Sequence, residues 1–479
     1  MFSFNSIKEY HKFLAENPGG CKIAVAHYLS EIEETSHLNS FLEVFAEEAL
    51  QRAEALDAKR AAGNPLGKLH GVVVALKDVI CYKGHKVSAA SHILEGFTSI
   101  FNATAVEKLL AEDAIIIGRN NCDEFAMGSS NENSAFGEVL NSLDESRVPG
   151  GSSGGSAVAV QAGLCMISLG SDTGGSVRQP ADFCGVIGLK PSYGRISRYG
   201  LIAYASSFDQ IGVFANTIED AALALEVMSG ADEFDSTASQ KEVPAYSQQL
   251  EDGKKTYRIA YFKQALEHPG LDTEITSAIN SYIQSLQKNG YTVEPVEFDL
   301  LNYIVPVYYI LTTAEASSNL SRFDGVKYGY RAPLIKGDDL TELYKKSRSE
   351  GFGKEVQKRI LLGTFVLSAG YYDAYFTKAQ QVRRILYNQT KEIFSKYDAI
   401  ISPTVPTTAF KIGEKSDDPI EMFLADIYTV YANLVGIPGI SIPLFKHSNN
   451  MPFELQIMTS HFDEVTLLSL SKKMIELEG

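Results

Sequence analysis

Short apolar runs alternate with amphipathic stretches along most of the chain. The apolar runs are long enough for buried strands and too short for helices, and the stretches between them carry apolar residues at helical spacing. The runs predict strands over residues 72–76, 114–118, 164–169, 258–262, 291–296, 398–401 and 437–442. The intervening stretches predict helices over residues 104–112, 156–163, 273–288, 421–435 and 464–476, and within 340–397. This alternation is typical of an α/β protein with a mostly parallel sheet.

The first 63 residues have a different pattern, because helical spacing prevails there. One helix face recurs at Ile23, Ala24, His27, Tyr28 and Ile32. Residues 46–62 are rich in Ala and Glu and end at Gly63, a common helix stop. We therefore predict that residues 1–63 form an N-terminal helical segment.

Charge and composition narrow the function classes. The chain has 43 Lys and Arg against 59 Asp and Glu, a net charge of −16. Strong direct contact with nucleic acid or an anionic membrane needs the opposite balance. No apolar stretch opens the chain as a signal peptide would, and no run reaches the roughly 18 apolar residues of a membrane span. The five widely spaced cysteines predict reduced thiols and no metal site, so we expect a cytoplasmic protein.

A Gly- and Ser-rich region over residues 150–176 is the most distinctive segment of the chain. It contains the apolar stretch 157–169, so it is ordered backbone within a core and not a flexible linker. Ser156 stands where a phosphate-binding P-loop needs Lys, which disfavours nucleotide binding. No His lies between His92 and His268, which lowers the expectation of a Ser-His-Asp triad.

Lysine is the alternative base for a serine nucleophile. Lys77 ends the first apolar run, where burial would lower its pKa and let the neutral amine accept a proton. The tight turn ending in Ser176 could direct several backbone N–H groups at one oxyanion. Two commoner interpretations remain open: Lys77 as a surface lysine paired with Asp78, and Ser152 and Ser153 as turn-forming residues.

The segments GGSSGGS (150–156) and GSDTGGSVRQPADFCGVIGLKPSYG (170–194) resemble the amidase signature family. This resemblance implies a mixed, mostly parallel central sheet covered by helices on both faces. Residues 64–479 would form the amidase domain, with the helical segment 1–63 packed on it.

The same resemblance implies a catalytic triad and an oxyanion hole. Ser176 would attack the amide carbon, and Ser152, next to a cis peptide bond, would relay the proton to neutral Lys77. The implied oxyanion donors are the backbone N–H groups of Thr173, Gly174, Gly175 and Ser176.

Three further segments, residues 197–215, 314–332 and 362–384, are similar to the glutaminase A subunits of tRNA-dependent amidotransferases. Such subunits hydrolyse glutamine to glutamate and ammonia. The resemblance implies a heterotrimer in which this chain joins a B subunit plus a small C subunit. The B subunit would hold the tRNA, bind ATP and Mg²⁺, and use the ammonia to convert Glu-tRNA(Gln) to Gln-tRNA(Gln). This chain itself would need no cofactor.

The resemblance also implies a glutamine pocket. Arg359 would bind the α-carboxylate, Asp426 the α-ammonium, and Tyr309 would be the aromatic partner, with Tyr308 as the alternative register. The loop lining the pocket would comprise Met127, Gly128 and Ser129. Arg359 as a solvated residue and Asp426 as a helix-surface residue are the simpler alternatives. A stand-alone amidase and a non-catalytic assembly scaffold remain the rival functions.

Overall fold

The computed structural model describes residues 4–414 and 425–478, and its centre is a mixed sheet. In those residues eleven strands pair in the order β1-β3-β2-β4-β6-β5-β10-β11-β9-β7-β8. The strands are β1 (Phe41–Val44), β2 (Val73–Lys77), β3 (Ile115–Asn120), β4 (Ile167–Asp172), β5 (Ile187–Lys190), β6 (Gln210–Ala215), β7 (Arg258–Phe262), β8 (Thr292–Val296), β9 (Ala399–Pro403), β10 (Gly439–Lys446) and β11 (Pro452–Thr459).

Helices cover both faces of this sheet, as predicted. The helices are α1 (Ile7–Glu16), α2 (Gly20–Glu34), α3 (Ala46–Ala61), α4 (Thr104–Ala111), α5 (Gly154–Gln161), α6 (Arg178–Cys184), α7 (Ile218–Met228), α8 (Lys263–Leu266), α9 (Thr273–Lys288), α10 (Leu301–Asn319), α11 (Leu340–Gly351), α12 (Lys354–Val366), α13 (Lys378–Phe394), α14 (Val430–Val435) and α15 (Glu464–Glu478). A π-helical segment, Tyr372–Thr377, precedes α13. Of the helix predicted over residues 421–435, the first four residues lie outside the described ones.

The α/β class is confirmed, but the expectation of a mostly parallel sheet is wrong. Among the described strands, β2 pairs in parallel with β3 and β4, and β7 with β8 and β9, while the other six pairings are antiparallel. Each antiparallel pairing includes β1, β5, β6 or β11. The hydrophobic pattern missed these four strands because they are short or carry glycine and polar residues. Every strand that it did predict, except β10, has a parallel neighbour.

The N-terminal segment contributes more than helices. Its helices α1, α2 and α3 were expected, but β1 also pairs antiparallel with β3 and extends the sheet. Four residues between two helices are too few to show strand alternation in sequence. A hydrogen bond joins helix α1 to the segment before β2: the Tyr10 hydroxyl donates to the Gly71 carbonyl at 3.0 Å.

The parallel strands β2 and β4 position the predicted catalytic residues. Leu76 lies opposite Leu169, so the two strands end at the same edge of the sheet, beside the turns that follow them. Lys77 ends β2 and Asp172 ends β4, which brings Lys77 close to the Gly- and Ser-rich region. All five cysteines are buried and free. Within the described residues, no helix is long and apolar enough to cross a membrane.

Candidate active site

Lys77 lies in a cage of three serine hydroxyls. The side chain has no exposed surface, and its Nζ lies 2.7 Å from Ser152 Oγ, 2.8 Å from Ser153 Oγ and 2.9 Å from Ser171 Oγ. Ser171 belongs to β4, while Ser152 and Ser153 precede α5. The strand end therefore directs a single amine into the turn that carries the predicted relay serine.

Burial decides the protonation of this lysine. Loss of water lowers the pKa of Lys77 to about 8, because an ammonium ion without hydration is costly. The surface pair with Asp78 does not form. The Asp78 carboxylate accepts hydrogen bonds from the Ser88 hydroxyl at 2.5 Å and from Arg119 at 2.6 Å. Lys77 can thus supply a neutral amine near neutral pH.

The turn bearing Ser152 has the cis peptide bond that the resemblance implied, between Gly151 and Ser152. Gln179 holds this turn. Its Oε1 accepts the Gly151 N–H at 2.8 Å, and its Nε2 donates to the Ser129 carbonyl at 2.8 Å. One buried amide therefore joins the turn of Ser152 to the predicted pocket loop.

Ser176 lies in the turn after β4, with 8% of its surface exposed. Within the described chain, no hydrogen bond joins the Ser176 hydroxyl to Ser152. Gly175 adopts φ +131°, and a Cβ at this position would overlap Thr429, so the turn requires glycine. The structure brings Lys77 and Ser152 into contact, and it records no partner for the Ser176 hydroxyl among residues 4–414 and 425–478.

Three of the four predicted oxyanion donors are free in this turn. The N–H of Gly175 already donates to Asp172 Oδ1 at 2.8 Å. Among the described residues, no acceptor is recorded for the N–H groups of Thr173, Gly174 or Ser176. A carbonyl oxygen entering the turn would therefore meet these three donors.

A buried ion pair supports the same turn. Arg178 is fully buried, and its guanidinium binds both carboxylate oxygens of Asp172, at 3.1 and 3.0 Å. Burial alone would raise the pKa of Asp172, but the Arg178 charge holds it at about 2. Arg178 also donates to the Thr429 carbonyl at 2.8 Å and to Gln456. The pair thus ties the turn of Ser176 to α14 and β11.

The substitution Arg178→Met is expected to lower the free energy of unfolding by about 3–5 kcal/mol, because it leaves the Asp172 carboxylate buried without its cation. Urea unfolding measures this loss. The double variant Asp172→Asn/Arg178→Met removes both charges and should recover part of the stability. A single variant within about 1 kcal/mol of the wild type would contradict this account of the turn.

The predicted glutamine-binding residues lie together. The Tyr309 hydroxyl donates to Asp426 Oδ2 and the Ser129 hydroxyl to Asp426 Oδ1, each at 2.9 Å. The guanidinium carbon of Arg359 lies 5.4 Å from the centroid of the Tyr309 ring, and its Nε pairs with Glu355 at 2.8 Å. Both Arg359 and Asp426 are buried, so neither is a solvated surface residue. Burial raises the pKa of Asp426 to about 6.

The two tyrosines of α10 have different neighbours. Tyr309 contacts Asp426, whereas Tyr308 lies against Gly174, where a Cβ would overlap its phenol. Thr429, three residues after Asp426, donates to the Gly174 carbonyl at 2.7 Å. The Asp426 group therefore adjoins the turn of Ser176.

The two remaining predicted pocket residues precede Ser129. Met127 is fully buried, and its N–H donates to the Glu124 carbonyl at 2.9 Å. Gly128 packs against the carboxylate of Asp123, which accepts the N–H groups of Asn131 and Asn133 at 3.0 Å each. The Asp123 carboxylate thus fixes the loop, and the Ser129 hydroxyl donates to Asp426.

Sequence reasoning missed the residues that support the site: Ser153, Ser171, Asp172, Arg178 and Gln179. All five lie in the distinctive Gly- and Ser-rich region or directly after it, and all are buried. Polar residues inside such a buried segment need internal partners, which was the available signal. Within residues 4–414 and 425–478, no group of three or more His, Cys, Asp or Glu side chains could hold a metal ion.

A model of the amidase family matches residues 24–468, nearly the whole chain. The protein therefore belongs to the amidase family, and the prediction of an enzyme of the amidase signature class is confirmed.

Similar proteins narrow this class. The chain is 51% identical to the A subunit of glutamyl-tRNA(Gln) amidotransferase from Koribacter versatilis, over 94% of this chain and 93% of the relative. It is 50% identical to the protein of the same name from Chlorobium luteolum, over 98% and 97%. The crystal structure of the Thermotoga maritima protein of that name covers 99% of this chain and 95% of its own, with 39% identity and a TM-score of 0.81.

Proposed function

We propose that this chain is the glutaminase subunit of a tRNA-dependent amidotransferase, converting glutamine to glutamate and ammonia. The observation that carries the proposal is the group formed by Arg359, Asp426 and Tyr309 beside the turn of Ser176. A guanidinium and a carboxylate are the groups that recognise an α-carboxylate and an α-ammonium. A simple amide offers neither charge, so such a pair favours an amino-acid substrate.

The proposed reaction begins at Ser176. The Ser176 oxygen attacks the side-chain amide carbon of glutamine while its proton passes to Ser152, whose own proton passes to neutral Lys77. The Ser176 hydroxyl turns toward Ser152 for this step, since apo hydrogen bonds tighten when substrate binds. The free N–H groups of the turn would hold the oxyanion.

Return of the proton through the same relay lets ammonia leave, and the glutamyl ester remains on Ser176. A water molecule, deprotonated by the same relay, then attacks this ester. The products are glutamate and the free serine. Every proton taken by Lys77 is returned within one turnover, so the mechanism needs no cofactor in this chain.

The partners belong to the same proposal. A B subunit would bind ATP, Mg²⁺ and Glu-tRNA(Gln) and use the ammonia to form Gln-tRNA(Gln), and a small C subunit would complete the heterotrimer. The names of the similar proteins support this assignment. The net charge of −16 supports placing the tRNA on another subunit.

Purification of the tagged chain from its native cells tests the proposal. We expect two further subunits to co-purify, and the complex to release ammonia from glutamine and to form Gln-tRNA(Gln) with ATP. A chain that purifies alone and hydrolyses glutamine no better than an aliphatic amide would be a stand-alone amidase. A complex whose Ser176 never reacts with a fluorophosphonate would make the chain a scaffold.

The substitution Arg359→Met is expected to raise KM for glutamine by about 10²-fold, because a buried charge-assisted pair with the α-carboxylate is lost. Hydrolysis of an aliphatic amide such as propionamide should change little. Steady-state kinetics with both substrates measures the difference. Arg331→Met, at an exposed arginine of the loop before α11, is the matched control. Equal losses on both substrates in Arg359→Met would refute the glutamine pocket.

A further inference from the structure

The outer face of α12 and the segment that follows it expose a continuous aromatic and aliphatic surface. Leu361 is 71% exposed, Leu362 40%, Phe365 44%, Tyr371 43% and Tyr375 41%. The Phe365 ring centroid lies 4.3 Å from that of Tyr371 and 6.1 Å from that of Tyr375, and both leucines lie within one helical turn of Phe365. These five residues are called the Phe365 patch.

The Phe365 patch has the size of the largest apolar patches on monomeric proteins, which are often functional. With full side-chain areas of about 150–250 Å², the exposed fractions correspond to an apolar area on the order of 500 Å². Every residue from 367 to 375 is exposed, and the π-helical segment Tyr372–Thr377 buries none of its side chains. A surface of this size and composition matches the apolar centre of a standard protein interface, which covers about 800 Å² per partner.

The rim of the patch is basic in an otherwise acidic chain. Residues 354–384 contain six Lys or Arg and two Asp or Glu, whereas the whole chain has a net charge of −16. Exposed Lys354, Lys378 and Arg384 take part in no ion pair within the described residues, and Glu355 is held by Arg359. In the described chain, exposed Asp373 accepts only from the Thr377 hydroxyl and adds one negative charge, so the net charge available at the rim is positive.

The charge pattern selects the occupant. A second copy of this chain bound through the same patch would set one basic rim against another, because a two-fold interface is self-complementary. A partner with an apolar centre and an acidic rim matches both features. The aromatic and aliphatic centre, with leucines beside the rings, favours a protein over a nucleic acid.

The patch also adjoins the candidate glutamine pocket. Helix α12 carries Arg359 on its buried face and the leucines and Phe365 of the patch on its exposed face. At Gly363 a Cβ would overlap the Thr313 carbonyl, so α12 packs backbone against backbone on α10, the helix of Tyr309. A protein docked on the patch would thus lie about one helix diameter, roughly 10 Å, from the face of α12 that carries Arg359.

We propose that the Phe365 patch is the docking surface for the ammonia-accepting partner subunit, which contacts it through an apolar surface bordered by Asp and Glu. This inference rests on the proposed function, because the ammonia-accepting subunit is part of that proposal. Docking on α12 places the consumer of ammonia against the helix that holds the glutamine-binding arginine.

The variants Phe365→Asp and Leu361→Asp, each in the full chain mixed with the purified partner subunits, test the surface. Each variant should raise the Kd for the partner subunits at least about 30-fold, which is the effect of losing one central interface residue. Ile100→Asp and Leu143→Asp, at residues that are 80% and 57% exposed elsewhere, are the matched controls and should change it less than about threefold. Labelling of Ser176 by a fluorophosphonate reports that each variant is folded.

A charge-reversal variant tests the rim. Lys354→Glu/Lys378→Glu should slow association about tenfold at low salt and reduce its dependence on ionic strength. Patch variants that bind the partner like the wild type would overturn the proposal. So would patch variants that instead lose self-association or binding of free tRNA by this chain alone. A wild-type chain without partners or glutaminase activity would overturn the proposed function itself, an outcome visible before any patch variant is made.

Discussion

The substitution Ser176→Ala is expected to abolish both amide hydrolysis and covalent labelling by serine-reactive traps. The Ser176 hydroxyl lies among free backbone N–H donors, whereas the other hydroxyl of the turn, that of Thr173, donates to Asp209. Without it no acyl-enzyme forms, and the remaining donors and Lys77 can only polarise a bound amide. We expect kcat for glutamine to fall by about 10⁴-fold or more.

Ser130→Ala is the matched control for this variant. Ser130 is also a buried serine, one residue after Ser129, and its hydroxyl has no hydrogen-bond partner among the described residues. Its loss should leave the rate within about threefold of the wild type. Mass spectrometry of the trapped protein checks the site of attachment. Labelling that persists in Ser176→Ala would move the nucleophile to another serine, with Ser152 the first to test.

Individual helices and strands were predictable from the sequence where a few adjacent residues determine each of them. The strand over residues 258–262 and the helix over 273–288 match β7 and α9, whose ends carry clear signals. The antiparallel part of the sheet was not predictable in this way. Strand β5 is IGLK and β6 contains Gly212, and neither reads as a continuous apolar run.

The candidate site likewise contains residues that the sequence could predict and residues that depend on the tertiary fold. The position of Lys77 after an apolar run indicated a buried base, and its cage includes the predicted Ser152. Ser171 could not be identified, because strand register alone brings β4 beside β2 and makes it a third partner of the lysine. The choice between Tyr308 and Tyr309 likewise depends on the rotation of α10, which sequence spacing leaves undetermined.

The substitution Lys77→Met is expected to lower kcat for glutamine by about 10³–10⁴-fold while the chain stays folded, because Met fills the same space and cannot accept a proton. In the wild type the base must be neutral, so kcat/KM should rise with pH through about 8, the pKa to which burial lowers Lys77. The residual activity of the variant should lack this rise. An unchanged rate in Lys77→Met would remove lysine from the mechanism.

The lowered pKa of Lys77 also predicts how the stability of the wild type depends on pH. Between pH 8 and the ordinary lysine pKa of 10.5 the unfolded chain binds more protons at this site than the folded chain, so wild-type stability rises with pH across that window. At pH 7 the buried ammonium costs the folded state about 3 kcal/mol. The difference in unfolding free energy between Lys77→Met and the wild type, from urea titrations at pH 7 and 10.5, should shift by that amount in favour of the wild type. A difference independent of pH would mean that Lys77 keeps its ordinary pKa in the fold, and a general base would then have to be sought outside the serine cage.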